Sequence, residues 1–209
     1  MSLVVDAISR ANRRPGDEVA IAVDIAASQF YDGATYRLAT EDRNVDSTEL
    51  IDLLTQWCAR YPIVSIEDPL HEDDWSGWFD ATRSLGHRQV LGDDLFATAA
   101  DRLSRGVDSS VANAVLVKPN QAGTISRAES VMRLARRAGY ATVVSARSGD
   151  TEDSWIADLA VGWQAGQIKV GSTHRAERTA KWNRLLEIES NYPKARFAGQ
   201  PRSQAAVFP

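Results

Sequence analysis

The sequence predicts an α/β fold built from about six βα units with parallel strands. Three observations predict it. Short apolar, β-branched runs alternate with longer segments of helical period along the 209 residues. The strand segments are apolar almost throughout, as expected of parallel strands covered on both faces. The connections are short, as in successive βα units.

Taken in order, a first helix is expected over Leu3–Asn12. The run VAIAV then gives a strand at Val19–Val23. Gln29–Asp46 reads as a longer excursion, with a hairpin around Asp32-Gly33 and a short extra strand at Tyr36–Leu38. Strands follow at Ile63–Ile66, Gln89–Leu91, Ala114–Val117, Ala141–Ser145 and Gln167–Val170. Between them, helices are expected at Thr48–Arg60, Asp74–Leu85, Thr98–Arg105, Ile125–Ala138 and Asp153–Ala165. In the last of these, Ile156, Leu159, Ala160 and Trp163 recur at helical spacing and make one apolar face. A final helix is expected at Arg175–Glu189. Residues 1–192 read as one domain with no dividing linker, and 193–209 as an irregular tail containing Gly199, Pro201 and Pro209.

Composition narrows the class. Hydrophobic residues make up 44% and charged residues 25%, an ordinary globular mix. No run of about 18 apolar residues exists, so no membrane-spanning helix and no membrane partner are expected. The net charge of -4 argues against nucleic acid as a partner. The N-terminal stretch carries early charges and no small-residue cleavage site, so it does not read as a secretory signal. The single cysteine, Cys58, excludes an internal disulfide framework and lies in an apolar helical pattern that places it in the core. Together these features point to the cytoplasm. The basic residues are unevenly chosen: of 24, only Lys118, Lys169, Lys181 and Lys194 are lysine. Arginine keeps its proton in a protein, whereas a lysine can become a base. Two of the four lysines end apolar strands.

The strand ends carry the chemistry. AIAVD ends at Asp24, IVSIEDP at Glu67 and Asp68, and QVLGDD at Asp93 and Asp94. AVLVK ends at Lys118, ATVVSARS at Arg147 and Ser148, and GQIK at Lys169. Alone, each acid reads as a helix N-cap or a loop charge, and each lysine as a solvated rim charge. Jointly they read as a metal-assisted site, because function gathers at the C-terminal ends of parallel strands in barrels and open sheets alike. A TIM-type barrel lacking two of its eight strands and an open doubly wound sheet both remain open at this point. Three neighbouring carboxylates repel unless a cation neutralises them, and hard oxygen ligands suit Mg²⁺ or Mn²⁺.

Longer motifs resemble those of the enolase family. They are VDIAASQFY, SIEDPLHEDDW, VLGDDL, LVKPNQAGT, SARSGDTEDSWIADLAVG and GQIKVGSTHRAERTAKWNRLLEIE. The resemblance runs from about Leu3 to Glu189 and implies an incomplete enolase-type TIM barrel. It implies that Asp24, Glu67 and Asp93 bind Mg²⁺ and that Lys118 abstracts the α-proton of 2-phosphoglycerate. It further implies that Lys169 holds the substrate carboxylate and that Arg147 and Ser148 contact the phosphate. A Lys base with Mg²⁺ stabilising an enediolate is the arrangement described for the enolase superfamily in general.

The departures are as specific as the matches. Ala146 stands where the family has an active-site histidine, and Pro119 replaces valine directly after the base lysine. Gln29 and Asp150 stand where glutamates are common. The GDEGG motif that supplies the family's general acid is absent from the sequence. The expected partners are therefore a small phosphorylated carboxylate and either a second copy of the chain or an N-terminal enolase half. Two alternatives go with these departures. One is an enolase relative with altered chemistry on a phosphorylated or phosphonylated three-carbon acid, similar to carboxyphosphonoenolpyruvate synthase. The other is a non-catalytic binding protein that uses exposed strand edges.

Overall fold

The computed structural model describes residues 1–199. Met1–Leu95 with Gly106–Asn113 form one compact unit. Phe96–Arg105 and the described residues from Ala114 onward form the other.

The first unit opens with α1 (Ser2–Arg10) and β1 (Ile21–Asp24). A small antiparallel pair, β2 (Tyr36–Leu38) with β3 (Arg43–Val45), leads into α2 (Ser47–Arg60). Then come β4 (Ile63–Glu67), α3 (Trp75–Leu85) and β5 (Gln89–Gly92). Strand β4 lies between β1 and β5, and both pairings are parallel. Helix α4 (Ala100–Asp108) follows. The second unit then holds β6 (Ala114–Val117), α5 (Pro119–Ala122), α6 (Ile125–Arg137), β7 (Ala141–Ser145), α7 (Trp155–Gly162), β8 (Gly166–Lys169) and α8 (Ala176–Asn191). Strand β7 lies between β6 and β8, again in parallel.

Local chemistry explains where the helices begin. The Asp46 carboxylate accepts the Glu49 N–H at 2.8 Å, and the Glu49 carboxylate accepts the Asp46 N–H at 3.0 Å, a reciprocal cap on α2. The apolar stripe Leu50, Ile51, Leu54 and Cys58 then faces the core. Asp46→Ala is expected to cost about 1 kcal/mol in urea denaturation of the purified chain. Asp74 caps α3 by accepting the Gly77 N–H at 2.9 Å. A Cβ at position 77 would meet that same carboxylate at 2.3 Å, so the cap requires glycine there. Behind the cap, Trp78, Ala81 and Leu85 are fully buried, and Trp78 donates its indole N–H to the His71 carbonyl at 3.0 Å.

Several element boundaries differ from expectation for identifiable reasons. Strand β1 starts at Ile21 and not at Val19, because Val19 is used in a turn whose carbonyl accepts the Gly16 N–H at 2.7 Å. Helix α4 starts at Ala100 because Ala97 and Thr98 hold positive φ. Helix α7 starts only at Trp155, because Thr151 and Asp153 bond to each other in a turn. A turn does form at Asp32-Gly33, closed by the Asp32 N–H donating to the Thr35 carbonyl at 3.0 Å. The ladder of that excursion, however, pairs Tyr36–Leu38 with Arg43–Val45. Strand β3 and helix α5 carry no clear periodic signal and were not expected. Cys58 is buried and free, as its helical pattern predicts, and burial raises its thiol pKa. Within the expected tail, Pro193–Gly199 contain no helix or strand, and the remainder lies outside the described residues.

Candidate functional site

In the first unit β1 and β4 end in acids, and an acid follows directly after β5. In the β1–β4 ladder Asp24 is the partner of Glu67, and Glu67 is in turn the partner of Leu91 on β5. Asp93 follows two residues beyond Leu91, in the bend just past the end of β5. Glu67 and Asp93 are buried, whereas Asp24 is exposed. The Asp24 carboxylate accepts the Ala26 N–H at 3.1 Å, a local turn that orients the side chain.

Asp68 ties these strand ends together. Its two carboxylate oxygens accept the Asp93 N–H at 2.9 Å and the Asp94 N–H at 2.8 Å. Its own N–H donates to the Leu91 carbonyl, and its carbonyl accepts the Ala27 N–H. Asp68 sits at φ 41, in the left-handed region, and is 2% exposed. Burial pushes its carboxyl up to about 8. The two backbone donors pull the other way, and the Asp93 and Asp94 carboxylates push it further up. Carboxylate oxygens of Asp68, Asp93 and Asp94 lie within 4.8 Å of one another. Asp93 is thus in a carboxylate group, but with Asp68 and Asp94, while Asp24 and Glu67 lie outside it. Asp68 was expected at most as a cap or loop charge. The true cap of α3 is Asp74, and the role of Asp68 depends on a left-handed backbone that no sequence pattern announces.

The donor set suits a hard cation. Both oxygens of Asp68 are engaged with backbone N–H groups, so it orients the Asp93–Asp94 backbone. Among the described residues, Asp68, Asp93 and Asp94 are the group whose carboxylate oxygens lie close enough together to share a cation.

In the second unit a lysine follows β6 and another ends β8. Lys118, half-buried, follows β6 with extended backbone, as the residue before a proline should. Pro119 occupies the first turn of α5, where a missing N–H costs nothing. The donor lost by placing proline there is therefore not a defect. The Lys118 N–H donates to the Thr98 hydroxyl oxygen at 2.9 Å, and that hydroxyl donates to the Gln121 amide oxygen at 2.9 Å. Thr98 is buried and held at φ 50, a strained setting for a β-branched residue. Lys169, half-buried, ends β8, and its carbonyl accepts the Ala146 N–H at 3.0 Å. Arg147 and Ser148 are exposed in a turn closed by the Asp150 N–H donating to the Arg147 carbonyl at 3.2 Å. Gly149 in that turn takes φ 79, which suits glycine.

The family model described as the enolase C-terminal TIM barrel domain matches residues 1–206. The chain belongs to the enolase family. It is 49% identical over 200 residues to the enolase of Sulfurimonas denitrificans, covering 95% of this chain and 48% of that protein. The enolase of Wolinella succinogenes is 48% identical over 202 residues, covering 96% and 48% respectively. That of Acidothermus cellulolyticus is 48% identical over 211 residues, covering 100% and 48%. The chain spans about half the length of these curated relatives. The six parallel strands are accordingly part of an enolase-type α/β barrel, and the open-sheet reading is set aside. Among the described residues, no helix is long and apolar enough to cross a membrane.

Proposed function

We propose that this chain carries the metal-binding and proton-abstracting half of an Mg²⁺-dependent lyase that interconverts 2-phosphoglycerate and phosphoenolpyruvate, the enolase step of glycolysis. The observation that carries this reading is the placement of three acids and two scarce lysines at the C-terminal ends of parallel strands. Asp24, Glu67 and Asp93 would hold Mg²⁺. Bound there, the ion supplies positive charge that offsets the negative charge building on the substrate carboxylate. Lys118 takes the proton from the carbon beside that carboxylate, and its backbone is held in place through Thr98. Lys169 holds the substrate carboxylate. The Arg147 guanidinium and the Ser148 hydroxyl receive the phosphate, a match of planar donors to phosphate oxygens.

Loss of the hydroxyl group needs an acid, and the GDEGG segment that supplies it in the family is not in this sequence. We propose that a segment carrying that motif completes the reaction, as a separate chain or within a longer one. A homo-oligomeric assembly and a cytoplasmic setting belong to the same proposal; the free, buried Cys58 is consistent with a reducing compartment. The relatives are all called enolase, and nothing in the comparisons favours an enzyme of altered chemistry. The test is to mix the chain with a polypeptide carrying the GDEGG half and follow phosphoenolpyruvate by its ultraviolet absorbance. Turnover that stops on chelation and returns with Mg²⁺ is expected. A folded complex with no turnover would sink the proposal.

A further inference from the structure

Lys181 lies on α8 and is 1% exposed, which is unusual for a lysine. Its ammonium donates to two main-chain carbonyls, that of Thr151 and that of Glu177 one turn earlier on its own helix. Among the described residues it makes no ion pair. Burying an ammonium against neutral acceptors is far costlier than burying an apolar side chain of equal length. A methionine would fill the same space, so filling space does not account for the charge.

What the charge grips is informative. Thr151 closes the segment that begins at Ala146 and contains Arg147 and Ser148. At its start this segment hangs from β8 through the Ala146 N–H on the Lys169 carbonyl. At its end it hangs from α8 through Lys181. Between the anchors, the chain is ordered by short local bonds: the Arg147–Asp150 turn, the Thr151 N–H donating to the Asp150 carboxylate at 2.9 Å, and the Thr151–Asp153 bonds. The same stretch of α8 grips the loop after β8. The Trp182 indole N–H donates to the Gly171 carbonyl at 3.2 Å, and the Arg178 guanidinium donates to the Ser172 hydroxyl at 3.2 Å.

We propose that Lys181 is a positioning residue whose buried ammonium, by holding the Thr151 carbonyl, sets the Arg147–Ser148 turn that receives the substrate phosphate. The inference rests on the function proposed above for its phosphate arm, but not for its loop arm. In hydrogen exchange on the ligand-free chain, Lys181→Met is expected to speed exchange of amides 147–152 on the order of tenfold or more, with the β6–β8 ladders unchanged. In calorimetry with Mg²⁺ present, it is expected to weaken 2-phosphoglycerate binding on the order of 10- to 100-fold, with Mg²⁺ affinity unchanged. Lys181→Arg keeps the charge and its donors and should recover much of both effects. Unchanged exchange in Lys181→Met overturns the proposal, as does faster exchange with unchanged binding. If the unsubstituted chain binds no 2-phosphoglycerate, the functional reading falls while the exchange result still decides the loop claim. If Lys181→Met does not fold, Lys181→Gln and Lys181→Arg carry the comparison. Failure of all three to fold makes Lys181 a core element and overturns the proposal.

Discussion

Replacing Lys118 by alanine is expected to lower turnover of the completed enzyme by about 10²–10⁴-fold, the usual share of a positioned general base. Affinity for Mg²⁺ should change little, because the candidate oxygen donors Asp24, Glu67 and Asp93 all belong to other strands. Steady-state rates of phosphoenolpyruvate formation measure the first effect and calorimetry the second. Exchange of the proton beside the substrate carboxylate with deuterated solvent isolates the step itself and should fall with turnover. Lys118→Arg is the sharper variant. It keeps the charge and the approximate length but cannot give up its proton. If it retained most of the activity, Lys118 would be a charge in the site and not its base. A defect that came from disturbing the backbone would instead be reproduced by Thr98→Val, which removes the acceptor for the Lys118 N–H.

Trp78→Ala is expected to destabilise the chain by about 3–5 kcal/mol, the range for deleting a fully buried aromatic side chain. Trp78 on α3 has no exposed surface and donates its indole N–H to the His71 carbonyl. The substitution opens a large cavity and removes one of the two donors to that carbonyl, which keeps the Asp74 N–H at 3.0 Å. His71 also donates its N–H to the Tyr36 hydroxyl at 2.9 Å, which ties the β2–β3 excursion to the segment after β4. Urea denaturation followed by fluorescence measures the loss. Trp78→Phe, which keeps most of the apolar volume but not the N–H, should cost about 1–3 kcal/mol. A loss below about 1 kcal/mol for the alanine variant would contradict the burial of this side chain.

The βα rhythm and most strand positions were legible in the sequence because parallel strands buried on both faces write themselves as apolar runs. Ile63–Ile66, Ala114–Val117 and Ala141–Ser145 are examples. Less legible were the places where the backbone adopts left-handed conformations. The starts of α4 and α8 are set by Thr98 at φ 50 and Arg175 at φ 72, and neither residue type announces it. In the site, the scarcity of lysine drew attention to Lys118 and Lys169. Lys181 belongs to the same scarce set, but it ends no strand and its burial is not written in the local pattern. Asp68 was the harder case. Its function is to accept main-chain N–H groups from a neighbouring strand end, and such contacts are set by register and not by composition.

The order of strand pairing bears on how the chain comes into being. Within each unit, every parallel strand lies beside the parallel strand synthesised just before it: Ser65 meets Gln89 across β4 and β5, and Ala114 meets Ala141 across β6 and β7. A polypeptide leaving the ribosome can therefore add each new βα segment to an edge that already exists, and need not wait for distant sequence to arrive. Such vectorial growth keeps loop closures short and leaves one growing edge exposed at a time. It also means that a translational pause after β4 would leave its edge uncovered until β5 emerges.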